Sequence, residues 1–196
     1  MDGKIFMDHL AKDQADIDRA GEDLFNYAVD REEIKWQIDR LQKEADINRT
    51  TVEYELAVMK IVATGLAISF HLEHSPHKQA LLENYWKRVY ELSNGLSETA
   101  GILTGTGIDY FQVLKDRLDA YTRAISESEA AKTANDPAVA IGPEFAEICG
   151  NRDDIYTRMT GIRMFTTNIT RVGQYLAGIS ITTQGPANED HRGNKS

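Results

Sequence analysis

Over the first third of the chain, apolar residues recur every seven positions: Leu10, Ile17, Leu24, Ile38, Ala45, Val52, Met59 and Leu66 on one track, and Ala20, Tyr27, Ile34, Leu41 and Val62 on a second. Paired tracks of this spacing place a narrow apolar stripe along one side of a helix, the pattern by which helices bury a seam against one another. No proline interrupts residues 4–74. One unbroken helix of that length would be roughly 100 Å long, at about 1.5 Å per residue. Asp13, Arg31, Asn48, Glu55 and Ser69 stand at seam positions where an apolar side chain would pack better. A buried charge is costly unless paired, so each is expected to be solvated or to mark a place where the helix stops. Thr50 followed by Glu53 reads as a capping box, and Asp30 followed by Glu33 has a related pattern. The stretch is therefore either one helix or two that turn back near Asn48–Thr51.

From Val52 to Phe70 the stripe broadens to Val52, Leu56, Met59, Val62, Ala63, Leu66, Ala67 and Phe70, as a helix deep in a bundle requires. Ser75 and Pro76 stop it and begin the next, with Ser75 as the expected N-cap. A second seam follows through Leu82, Tyr85, Val89, Leu92, Leu96, Thr99 and Leu103, closed by the glycines of Thr104–Gly107. A further helix from about Ile108 buries Phe111, Leu114, Leu118, Tyr121 and Ile125, and dissolves into small and polar residues over 126–135. Asp136–Pro143, with a proline near each end and Gly142 between them, reads as a loop. The last long helix is expected over 144–179, where Thr157 with Gly161, and Gly173 with Ala177, would let a neighbour approach closely. Past Thr182 the tail carries no apolar residue larger than alanine. The spacing thus predicts an all-α chain: an antiparallel bundle of four or five long helices with coiled-coil character. Residues 1–182 form one domain, with 4–48 a candidate projecting or separate N-terminal helix, and 183–196 form a disordered tail.

Composition narrows what such a bundle would do. Against 22 basic residues stand 31 acidic ones, a formal charge of −9. That disfavours a nucleic-acid partner, which needs a basic surface to displace counterions. The first fifty residues mix thirteen acids with eight bases around sparse apolar positions. A helix so polar must lean on a partner along its stripe. Leu10, Ile17, Leu24, Ile34, Ile38 and Leu41 are accordingly the candidate partner-binding residues, toward another protein or a second copy. Leu56–Leu72 is the most apolar stretch but contains Lys60 and is short for a membrane span. A lone Cys149 permits no intramolecular disulfide. With no secretory signal in the opening residues, the expected setting is cytoplasmic, export without a cleaved signal remaining open.

Candidate chemistry is sparse. HLEHSPH brings His71, His74 and His77 together around one turn, three imidazoles that would bind a transition metal with an open coordination site. The plainer reading places His71 and His74 at a helix C-terminus, where a protonated ring meets unsatisfied carbonyls. No Asp or Glu stands three residues before a histidine, against a carboxylate di-metal site. GxSxG, GxxxxGK[ST] and GxGxxG are all missing. Cys149, near the expected start of the last helix, is a nucleophile only if its pKa is lowered, and reads better as a buried hydrophobe. NRT at Asn48 and NIT at Asn168 match the glycosylation pattern without a signal that would use it. The leading expectation is a non-enzymatic interaction or scaffold protein with no cofactor. The alternatives are a metal- or small-ligand-binding bundle at the three histidines, or an exported helical effector or secretion-apparatus component. For the seam, Leu41→Asp lowers helicity by circular dichroism and any self-association, while Lys43→Asp on the outer face changes neither; equal effects contradict the register.

Overall fold

The helix Arg49–His71 (α3) supplies the densest part of the core: Val52, Leu56, Met59, Val62, Ala67 and Ile68 have no exposed surface. In the computed structural model, which describes residues 2–41, 47–105 and 107–179, it is the third of eight helices among the described residues. The others are α1 (Asp2–Val29), α2 (Glu32–Asp39), α4 (Lys78–Thr104), α5 (Tyr110–Glu127), α6 (Glu129–Ala134), α7 (Ala138–Ile148) and α8 (Ile155–Ala177). The fold is all-α, its helices packed against one another, with more and shorter helices than the seven-residue spacing predicts.

The opening seam is divided twice. At Val29 the first helix ends, and the Asp30 carboxylate accepts the Glu32 N–H at 3.2 Å to start α2. The second division is at α3, whose N-cap is Asn48, accepting from the Thr51 N–H at 3.1 Å, and not Thr50. The sequence around Asn48 thus serves a helix start. Over its second half α1 lies along α4 in the same sense, with Asn84 donating to Asp18 at 2.9 Å and Arg88 paired with Glu22 at 3.8 Å one turn on. Ala45 and the tail 183–196 lie outside the described residues, as do the side chains of 2–13.

One seam defect, Glu55, is neither solvated nor a helix stop, contrary to the expectation for such positions. Glu55, buried in mid-helix, receives a bidentate pair from Arg117 of α5 at 2.8 and 2.7 Å. That fork geometry is the arrangement that best offsets carboxylate desolvation. Lys60, which argued against a membrane span, is 1 % exposed. Its ammonium donates to the Asp30 carbonyl at 2.8 Å, stands 3.8 Å from the Asp30 carboxylate and lies 4.5 Å over the Tyr27 ring. Burial pushes its pKa down while Asp30 and Glu33 push it back up. One turn on, the buried Thr64 hydroxyl donates to the Lys60 carbonyl at 2.8 Å and faces Asn168 Oδ1 at 3.2 Å, while Asn168 Nδ2 donates to the same carbonyl at 3.0 Å. Asn168 of the NIT triplet is therefore an interior link between α3 and α8.

In α4 the buried stripe is Leu81, Tyr85, Val89 and Ser93, spaced by four. The predicted three-four seam drifts off that stripe, which leaves Leu96 and Leu103 at 47 % and 79 % exposure. Gly105, at φ 69°, closes the helix in the left-handed region as the Thr104–Gly107 reading requires.

The largest departure follows residue 126. Ser128 accepts from the Ala131 N–H at 3.1 Å and starts α6. Asp136 accepts from the Ala138 N–H at 2.9 Å and starts α7, so the expected 136–143 loop is mostly helix with Pro143 inside it. The expected 144–179 helix is broken at Gly150 (φ 71°), and α8 restarts where the Asp154 side chain accepts from the Thr157 N–H. Glycine explains how closely α7 and α8 meet. A Cβ on Gly142 would fall 2.7 Å from the Ile162 side chain, and one on Gly161 2.7 Å from the Phe145 ring. At Gly161 a neighbouring side chain, and not a second backbone, fills the space, while at Gly142 the Arg158 carbonyl oxygen also comes within 3.1 Å.

Breaking the Glu55–Arg117 pair from one side leaves a buried unpaired carboxylate. Arg117→Ala should cost about 3 kcal/mol in urea unfolding, while Arg123→Ala, exposed on the same helix, should cost less than about 0.5 kcal/mol. Equal losses would show that the pair does not hold α5 to α3.

Candidate functional site

An open groove of about 540 Å³ runs between the last turns of α3, the end of α5, α6, the start of α7 and the middle of α8. Leu66, Phe70, Ile125, Ala131, Phe165 and Ile169 make its apolar walls. Its formation follows from local chemistry. Asn135, at φ 50°, takes the left-handed conformation that ends α6. The Asp136–Pro137 step then starts α7, and the groove lies between this α6–α7 corner, α3 and α8. Phe70 stands at the lip with 68 % of its surface exposed. The stripe places it in the core, but α3 ends one residue later and the burial on its side ends with it.

Three of the polar residues lining the groove are already engaged. Lys132 pairs with Glu129 at 2.7 Å, Asp136 caps α7, and the Thr170 hydroxyl donates to the Thr166 carbonyl at 2.9 Å. Neither histidine nor cysteine lines it. Apolar walls of this volume suit an apolar group, and nothing in the lining supplies a nucleophile beside a base.

The three histidines are not brought into one coordination site. Among the described residues no group of three or more His, Cys, Asp or Glu side chains is placed to hold a metal ion. His71 Nε2 is 3.0 Å from the Ile169 carbonyl, and its ring packs on Gly173, where a Cβ would fall 2.6 Å away. The same ring meets Phe70 edge-on, centroids 5.2 Å apart. His71 thus ties the end of α3 to α8 beside the groove. His74 is exposed, and His77 begins α4 with its backbone N–H donating to Ser75 Oγ at 3.2 Å.

Of the candidate partner-binding residues, Ile17, Leu24, Ile34 and Leu41 are buried in the chain's own core, and Ile38 is half-buried against it. Leu10 lies on α1 where side chains fall outside the described residues. Cys149 is buried at the end of α7, not at the start of a helix. Burial first, then the Glu55 charge, push its thiol up to about 12. Spacing gave no view of the groove, because two of its walls come from α6 and from the start of α7. The Ser128 and Asp136–Pro137 helix starts were the signals that would have found them.

The sequence matches no protein-family model, and no curated protein or solved structure matches it. Among the described residues no helix is long and apolar enough to cross a membrane.

A thiol with its pKa near 12 stays protonated at pH 8. Native protein should therefore resist iodoacetamide there and react fully once unfolded in guanidinium chloride. Rapid alkylation of the native chain would contradict the burial of Cys149.

Proposed function

We propose that this is a non-enzymatic helical binding protein that acts through protein–protein contact, taking an apolar anchor of its partner into the Phe70 groove. The observation carrying this reading is Phe70 itself, a large aromatic side chain 68 % exposed at the lip of an apolar groove. Aromatic anchors seated in such pockets dominate binding energy at interfaces. The long α1 seam, first candidate for the role, is replaced by the groove because most of its apolar positions lie inside. The bundle reading of the long helices goes with this proposal, supported by α4 folding back on α3 so that the Tyr85 hydroxyl donates to the Ile61 carbonyl at 2.7 Å. So does a cytoplasmic setting, supported by the single unpaired Cys149.

The test is cross-linked pulldown with quantitative mass spectrometry, alongside light scattering for self-association. Wild type should retain a partner or associate with itself, and Phe70→Asp should lose it with the melting temperature little changed, because the site is exposed. A strictly monomeric wild type that retrieves nothing, or a Phe70→Asp variant that binds as well, overturns the reading.

A further inference from the structure

A second surface, away from the groove, has a different chemistry. On α2, Trp36 is 46 % exposed, with the Arg40 guanidinium 3.8 Å from its ring centroid and that of Arg163, from α8, at 5.9 Å. Both arginines are exposed, and among the described residues neither has a carboxylate partner. Sharing one indole keeps the two cations within about 10 Å of each other, a Debye length at about 0.1 M salt. A guanidinium stacked on a ring keeps its N–H edge free for a bidentate carboxylate. The stack restricts the side chain beforehand, so less freedom is lost on binding.

The apolar half of the surface lies on α8. Ile155, Met159 and Arg163 are spaced four apart on one face, and Ile155, Tyr156 and Met159 are 58 %, 43 % and 51 % exposed. Glu33 bonds Arg171 at 2.9 Å, while Gln37, one turn later on α2, reaches Met164, one to two turns earlier on α8. The two helices therefore run in opposite senses, and the Arg40 end of α2 is directed toward the Met159 half of α8. Exposed Trp, Tyr, Met and Arg in one strip is the composition of an interface centre.

We infer that the Trp36–Arg40–Arg163 cluster and the Ile155–Met159 face of α8 together bind an acidic amphipathic helix of a partner protein. The partner's apolar residues lie on Ile155 and Met159, and its carboxylates meet the two guanidiniums. Charge complementarity selects this occupant: among the described residues the two exposed arginines stand beside one indole with no carboxylate partner. The formal charge of −9 opposes a long acidic partner, so the attraction is confined to the one or two carboxylates that reach the pair.

The test uses the full chain and a labelled twenty-residue helical peptide with leucine every third and fourth position, two glutamates beside that stripe and alanine or glutamine elsewhere, followed by fluorescence anisotropy. Saturable binding is expected, weakened about tenfold or more by Arg40→Gln with Arg163→Gln and weakened by added salt. Met159→Asp should weaken it comparably. Lys115→Gln, which removes a cation 4.9 Å over Phe111 elsewhere, should leave it unchanged, as should Phe70→Asp, which separates this surface from the groove. Circular dichroism checks that each variant keeps its helicity. Absence of saturable binding, equal binding by the double arginine variant, or equal binding of a peptide with lysine in place of glutamate overturns the proposal. Binding that survives Met159→Asp but not the arginine changes also overturns it, since it would mark an anion site without a helix partner.

Discussion

Everything in this fold has to accommodate the polar side chains buried on α3. Glu55, Lys60 and Thr64 are 4 %, 1 % and 0 % exposed on the helix that forms the centre of the core. A charge taken out of water is tolerated only with a well-placed partner. Each partner comes from a different element: Arg117 from α5, the carbonyl at the end of α1 from Asp30, and Asn168 from α8. The apolar stripe of α3 accepts neighbours by shape alone, and many arrangements would fill it. The three polar positions are more selective, because each neighbour must arrive in one register for its hydrogen bonds to form. The ending of α1 at Val29 belongs to the same constraint, since the Lys60 ammonium takes up the Asp30 carbonyl there.

What this leaves on the surface follows from what it encloses. The residues of α1 and α2 that looked most available for a partner pack inside, because α1 closes over α3 and α4. Exposed apolar area collects instead where a helix ends early or outruns its neighbours: Phe70 on the last turn of α3, Ile102 and Leu103 at the end of α4, and Ile155 and Met159 at the start of α8. The groove belongs to the first of these. It lies between the α6–α7 corner and the end of α3, and with Lys132 and Asp136 paired within that corner its apolar walls are its main chemical offer.

The helical class of the chain, the core helix from Val52 and the glycine closure after α4 are legible in spacing and punctuation alone, because each rests on a local rule. Other features are not local. Glu55 reads as a fault in a seam and Lys60 as a charge in an apolar stretch, and only Arg117, 62 residues away in sequence, and Asp30, 30 residues away, turn them into interior links. The segment DPAVAIGP reads as loop because proline and glycine usually break helices, yet Pro137 sits at a helix start and Gly142 is required by the approach of Ile162. Phe70 continues the apolar stripe without fault, and nothing in its spacing records that burial stops there. The groove and the Trp36 surface each join residues from distant elements, so no window along the chain displays them together.

Native-state hydrogen exchange measures the central claim most directly. If the buried polar links fix the packing of α3, amides of Leu56–Ala67 in α3 and Met164–Val172 in α8 should be the slowest in the chain and should exchange only with global unfolding, sharing one free energy and one denaturant dependence. Exchange of the α3 amides through a lower-energy opening while α8 stays protected would contradict the claim.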